Sequence, residues 1–172
     1  MRWLAACLVL AGCGAPTNFA GSGSFDPLAF FTGHVTSWGV EEDRAGTPTA
    51  IVTTDCTGII TAPGHLRMTQ ILHIGAGAPQ TRLWDMARTG PTTFDATAND
   101  MAGVAHGTVS GRTLHWRWTL ETHPGNPLAN VVMDQNFYRM DDGAVVIRTI
   151  VTKLSIRLVE ITEQFRNVGG AR

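Results

Sequence analysis

A chain of 172 residues with a formal net charge of −1 and no basic run lacks the electrostatic footprint of a nucleic-acid binder, and after its N-terminal segment it has length for one domain. With 44% apolar residues it can build a core. The chain opens on Met1-Arg2-Trp3 and an apolar run over residues 4–11. That run is well short of the roughly 20 apolar residues of a membrane-spanning helix. A positive start, a short apolar stretch and small residues at a cut site match a secretory signal. Cys13 follows Leu10-Ala11-Gly12 directly, so the stretch reads as a lipobox: residues 1–12 form a lipoprotein signal peptide, and Cys13 is the first mature residue and the site of lipid attachment. Several acyl chains make such an anchor stable, where one alone binds marginally. Residues 13–24, with Gly and Ser recurring and little to bury, read as a flexible tether. Gly14 replaces the Asp that retains such proteins at the inner membrane. The expected location is therefore the bacterial cell envelope, lipid-anchored and facing the periplasm, at the outer membrane in preference to the inner.

Beyond the tether the pattern is β almost throughout. A short turn at residues 25–31 is the one helical candidate. Residues 66–74 and 80–88 read as strands around a Gly75-Ala76-Gly77 turn. Residues 114–121 alternate strictly: Leu114, Trp116, Trp118 and Leu120 share one face, His115, Arg117, Thr119 and Glu121 the other, as in a half-buried strand. Pro124-Gly125-Asn126-Pro127 is a loop. Asp141-Asp142-Gly143 is a hairpin signal between strands at 131–140 and 144–153. In the last stretch Leu154, Ile156 and Leu158 share one parity and Val159, Ile161 and Phe165 the other, which requires a turn or bulge. Consecutive hairpins predict an all-β, antiparallel up-and-down barrel of about eight strands over residues 25–168, able to hold one small ligand, with a tail at 169–172. The charged face opposite the tryptophans does not suit a lipid-facing barrel wall.

Several segments together resemble a bacterial lipoprotein family of unknown function, domain of unknown function 3833. They are Phe25-Asp26-Pro27 with Phe30-Phe31-Thr32-Gly33, Ser37-Trp38-Gly39-Val40, Asp43-Arg44-Ala45-Gly46, Thr81-Arg82-Leu83-Trp84, residues 96–105, Phe137-Tyr138-Arg139-Met140-Asp141-Asp142-Gly143, Arg148-Thr149 and Thr152-Lys153. Arg112, Asn136 and Ser155 stand where that pattern usually has Asn, Trp and Gly. The resemblance implies a lipoprotein with a lipocalin-like barrel and no particular activity. It also suggests a barrel-closing stack of Trp38-Gly39 with Arg148.

Candidate site residues follow from chemistry. Cys7 leaves with the signal and Cys13 takes lipid, so Cys56 has no disulfide partner and reads as a small buried hydrophobe. His34, His65, His73, His106, His115 and His123 lack compact metal-ligand spacing, so neither a metal nor a cofactor is expected. No G-x-S-x-G elbow is present in a strand–turn–helix context. His106 paired with Asp100 is a weak catalytic candidate, with a structural hydrogen-bonded histidine as the rival reading. Arg44 can grip a carboxylate or phosphate or close the barrel end. Arg82, Arg148, Asp85 and Asp100 can face the interior, where charges must pair. Trp84, Trp116, Trp118 and Tyr138 are candidates to line a cavity, with Arg44, Arg82 or Arg148 meeting a polar head. The leading expectation is a membrane-anchored binder of a lipid or fatty-acid-like ligand with no nucleic-acid partner, more a binder than an enzyme. The alternatives are a periplasmic enzyme using His106 and Asp100, and a structural or assembly lipoprotein with a filled barrel and an exposed apolar patch.

Overall fold

The computed structural model describes residues 23–169. The expected signal peptide, Cys13 and most of the expected tether and tail lie outside the described residues. The described chain begins with a short helix, α1 (Pro27–Phe30), followed by ten strands: β1 (Gly33–Asp43), β2 (Pro48–Ala62), β3 (His65–Ile74), β4 (Gln80–Arg88), β5 (Thr93–Ala98), β6 (Met101–Ser110), β7 (Thr113–Leu120), β8 (Val131–Arg139), β9 (Val145–Lys153) and β10 (Ile156–Asn167). Each strand pairs antiparallel with its sequence neighbours, and β1 closes on β10 from Val35↔Asn167 to Asp43↔Val159. The result is a closed up-and-down barrel of ten strands, not about eight, consistent with a lipocalin-like fold. The sequence reading delineates no strand at β1, β2, β5 or β6: the outer faces of β1 and β2 mix polar residues with Trp38, Ile51 and Ile59, β5 has six residues, and the β6–β7 register shifts between Ala102 and His106.

Strand β7 shows how alternation becomes architecture. Leu114, Trp116 and Trp118 are buried inside, while His115 and Arg117 point out. Outward charges pair across strands, as in His115–Asp134 at 3.1 Å, Arg67–Asp85 at 3.0 Å and His34–Asp55 at 2.9 Å. Exposed pairs of this kind contribute ~0–1 kcal/mol each, so the inner face carries the stability. The parity switch near the C-terminus has two causes. A two-residue turn joins Lys153 to Ile156, and the β9–β10 register then shifts between Arg157 and Val159.

One end of the barrel is capped. Asp26 accepts hydrogen bonds from Leu28 N and Ala29 N at the start of α1, and the Arg88 guanidinium donates to it at 2.8 Å. Phe25 N donates to Gly111 O, and Asn167 Nδ2 donates to the Phe30 and Thr32 carbonyls. Phe25, Leu28 and Phe31 are thereby driven into the barrel end against Phe137 and Phe165. Gly58 on β2 makes this close approach possible, since a Cβ there would stand 2.0 Å from the Phe31 carbonyl oxygen. At the same end Arg112, buried despite its charge, donates to Asp141 at 2.6 Å.

Candidate functional site

Above the capped end, the inward rows change character. On β3 the row Leu66, Met68 continues into Gln70; on β8 Val131, Met133 and Phe137 enclose Gln135; on β10 Ile161 and Phe165 enclose Glu163. The closed barrel brings these polar side chains together with Arg82 and Trp84 of β4 and Trp116 of β7 around a cavity of about 40 Å³. Met68, Met86, Phe31, Phe137, Ile147 and Phe165 complete its lining.

Almost every polar atom here has a partner. Arg82, 6% exposed, donates from Nε to both oxygens of Asp100 at 2.8 Å, and its Nη2 also lies 2.8 Å from Oδ2. Its guanidinium lies 4.9 Å from the Trp118 ring centroid, a cation–π contact that gains strength from exclusion of water. Gln70 Oε1 accepts from Trp84 Nε1 at 2.9 Å and more weakly from Arg82 Nη1 at 3.4 Å. Gln135 Oε1 accepts from both Trp116 Nε1 and Trp118 Nε1, at 2.7 and 2.8 Å, and its amide nitrogen donates to Thr149 Oγ1. Trp84 and Trp116 stack with ring centroids 5.5 Å apart. Buried indoles need such acceptors, so the two glutamines hold three tryptophans in place.

Glu163 is the exception. It is 8% exposed, and its Oε1 accepts from Ser37 Oγ at 2.6 Å and Thr54 Oγ1 at 2.8 Å. Among the described residues its Oε2 has no hydrogen-bond partner, and the side chain lines the cavity. Burial pushes this carboxyl above the ordinary glutamate range, while the two hydroxyls and the Arg82 charge partly oppose that. Room for the side chain comes from Gly39 on β1, where a Cβ would stand 2.8 Å from Glu163 Cγ.

Of the residues singled out from sequence, Arg82, Trp84 and Trp116 line this cavity, and Trp118 packs against Arg82. Three do not reach it. Arg44 lies exposed in the β1–β2 turn, its carbonyl accepting from Arg157. Arg148 points outward and donates to Glu160 at 2.9 Å, so it does not stack on Trp38, which is itself on the outer face. Tyr138 belongs to the outward row of β8. Asp85 is likewise outside, paired with Arg67. The expected His106–Asp100 pair does not form: His106 Nδ1 bonds Asp95 at 2.8 Å on the outer wall, and Asp100 is committed to Arg82. The parity of each strand decides these outcomes, because adjacent residues face opposite sides. Cys56 is fully buried with its thiol pushed up to about 12, by burial first and then by Glu163 and Asp55. Gln70, Gln135 and Glu163 escaped the sequence reading. Their signal was a polar residue at an inward position of an otherwise apolar row.

Comparison with known proteins adds a family and a fold. Residues 7–167 match the family described as "Protein of unknown function (DUF3833)". No curated protein matches. Among solved structures, the chain is similar to the S-type phycobiliprotein lyase CPES from Guillardia theta, with a TM-score of 0.57 at 9% identity over 83% of this chain and 92% of that one. At that identity the likeness shows the fold.

Proposed function

This chain belongs to the DUF3833 family, and on that premise we propose that its barrel encloses the compact, oxygen-bearing head of a small or amphipathic ligand between Arg82 and Glu163. The single observation that carries this reading is Glu163 Oε2, an oxygen of a buried side chain that lines the cavity and has no hydrogen-bond partner among the described residues. Buried polar atoms left unpaired cost free energy, so a ligand that completes the set gains what the empty site lacks. Arg82 has at least one Nη1 N–H left for an acceptor, and a protonated Glu163 supplies a second donor. Two donors select acceptor oxygens, as in a carboxyl or carbonyl group.

The size of the site sharpens the expected lipid-like ligand. A cavity of about 40 Å³ is far below the ~300–1,000 Å³ that encloses a drug-sized molecule. An acyl chain does not fit inside in this conformation; a head group does, with any chain left beyond the mouth. Anchoring through Cys13 belongs to the same proposal, because it would keep the barrel where amphipathic ligands are abundant.

The test uses hexanoate and methyl hexanoate as probes, followed by NMR at the indole N–H signals of Trp84 and Trp116. Both probes should shift these signals saturably, and Arg82→Met should abolish the shift. Absence of a saturable shift from either probe sinks the reading.

A second reading, catalysis, is favoured by the same carboxyl. A group displaced toward its protonated form beside a bound carbonyl oxygen is placed as a proton donor, and a lyase is among the solved structures that share this fold. In that case Glu163→Gln keeps hexanoate binding but no longer alters the mass profile of a lipid extract from the native membrane. An extract that the wild-type chain leaves unchanged ends the catalytic reading.

A further inference from the structure

The two barrel ends differ in what they present to the outside. At the capped end, ion pairs such as Arg88–Asp26, Arg112–Asp141 and Arg166–Asp142 knit the turns together. At the mouth, the turns β7–β8 and β9–β10 instead hold large apolar side chains out from the fold. Leu128, in the short 3-10 turn Pro127–Ala129, is 85% exposed, and Leu154 is 89% exposed, with Ile156 and Leu158 behind it. Apolar residues are also exposed on the wall, some singly and some together: Ile71 sits between Asp55 and Thr81, while Ile51 faces Val40 across the β1–β2 pair and Ile59 and Leu83 line one surface depression. Isolated residues of that kind are ordinary surface. Leu154 is not ordinary. It and Ser155 are the non-glycine residues with positive φ, 49° and 64°, among the described residues. A two-residue turn of this geometry favours Asn-Gly, and a bulky apolar residue there is strained and gains no packing inside the protein.

Charge on the rim is mixed. Lys153, the chain's single lysine, precedes Leu154, and Arg44 abuts Leu158 across the neighbouring turn. Neither cation has a carboxylate partner among the described residues, as is true also of Arg117 and Arg139, and Glu41, Glu42, Asp43 and Glu121 stand at the same end of the barrel. Apolar tips on a rim of mixed charge match a bilayer surface, where acyl chains lie below head groups that carry phosphates and, in phosphatidylethanolamine, ammonium groups as well.

We propose that the barrel mouth docks on a lipid bilayer, with Leu128 and Leu154 entering the acyl region and Lys153 and Arg44 meeting lipid phosphates. The length of chain outside the described residues permits this even though that chain enters at the capped end. Ten residue steps separate Cys13 from Gly23, a reach of about 35 Å. The twelve residues of β10 span roughly 40 Å along the strand, or about 30 Å of barrel height at the usual ~40° tilt. An anchor at Cys13 therefore reaches the plane of the mouth. The docking rests on the anchored head-group reading only for its purpose, which is to deliver a ligand head from the membrane into the interior; the contact itself stands on the rim.

The experiment places a cysteine in the full chain, Leu154→Cys, and labels it with bimane after reconstitution into vesicles of phosphatidylethanolamine and phosphatidylglycerol. Ile59→Cys, near the capped end, is the companion. Cys56 stays unlabelled because it is buried and its thiol is held protonated, and the parent chain taken through the same labelling supplies the background. The label at position 154 should shift to the blue, be quenched by doxyl-bearing acyl chains and be shielded from aqueous iodide; the label at position 59 should do the reverse. Iodide quenching at position 154 on vesicle-bound chain overturns the docking, and so does equal acyl-chain quenching at both positions. Mass measurement of Cys13 acylation separates the two ideas. Unacylated chain that still shows the position-154 signature removes the anchor and keeps the docking, while acylated chain with position 154 in water does the opposite.

Discussion

The two halves of the barrel interior solve different problems with the same strands. The capped half is filled by Phe25, Leu28, Phe31, Leu66, Met86, Phe94, Leu114, Phe137 and Phe165, with its few polar side chains, Arg112 and Asn167, bonded at the barrel end. Stability there is a matter of volume and contact. The mouth half carries Arg82, Asp100, Gln70, Gln135, Glu163, Ser37, Thr54 and Thr149 among its tryptophans, and its stability depends on every donor finding an acceptor. In that half one Glu163 oxygen and an Arg82 N–H are left over for a ligand, which is the arrangement of a binding site. The comparison teaches where to look for function: in the half where packing alone would have been simpler.

Substitutions at four positions test whether the halves differ in this way. The largest effect is expected in the capped half. Phe137 touches Phe25, Phe31 and Trp116 with ring centroids 6.5, 6.3 and 5.2 Å away. Phe137→Ala should cost about 3–5 kcal/mol in urea unfolding; a loss below about 1 kcal/mol would mean that the cap repacks freely and the half is not held by volume.

In the mouth half the same logic runs through charge. Asp100→Ala leaves Arg82 buried without its carboxylate, and a loss of about 2–3 kcal/mol is expected, discounted because the Asp100 side chain is 26% exposed. Adding Arg82→Met removes the orphaned charge and should recover part of that loss. A double variant less stable than Asp100→Ala alone would show that Arg82 works by packing on Trp118 and not by pairing.

The smallest effect is a pH dependence. Because burial raises Glu163 in the folded state, its contribution to stability is complete below the ordinary glutamate range and is lost as pH rises through the raised value. Glu163→Gln removes that decline. Variant and wild type should therefore be closest in acid, with the variant gaining relative to wild type toward neutral pH. Urea midpoints collected from about pH 4 to about pH 8 measure it, and a difference that does not change with pH would contradict a raised carboxyl.

Half of the wall is legible in the sequence. The alternation of residues 114–121, the strands at 66–74 and 80–88 and the hairpin around Asp141-Asp142-Gly143 all appear with nearly the expected limits, since period-2 burial is written directly into residue order. The site was legible in part. Arg82, Trp84, Trp116 and Trp118 were singled out as aromatic or cationic residues on recognisable strands. Gln70, Gln135 and Glu163 were passed over because each is the one polar member of an apolar row, and nothing in its own segment says that the other two face it.

The sequence by itself determined which side of each strand is wet and which is dry, because that depends on nearest neighbours along the chain. It also carries Leu10-Ala11-Gly12-Cys13, the purely local pattern on which the proposed anchor rests. Only closure of the barrel decided the rest. Joining β1 to β10 sets Ser37 and Thr54 beside Glu163, 126 and 109 residues away in the chain, and turns scattered polar residues into one cavity. Strand parity sent Arg148, Tyr138 and His106 outward and Arg82 inward. Which inward residues then meet is fixed by strand order and register across the whole circumference, and no local pattern encodes that.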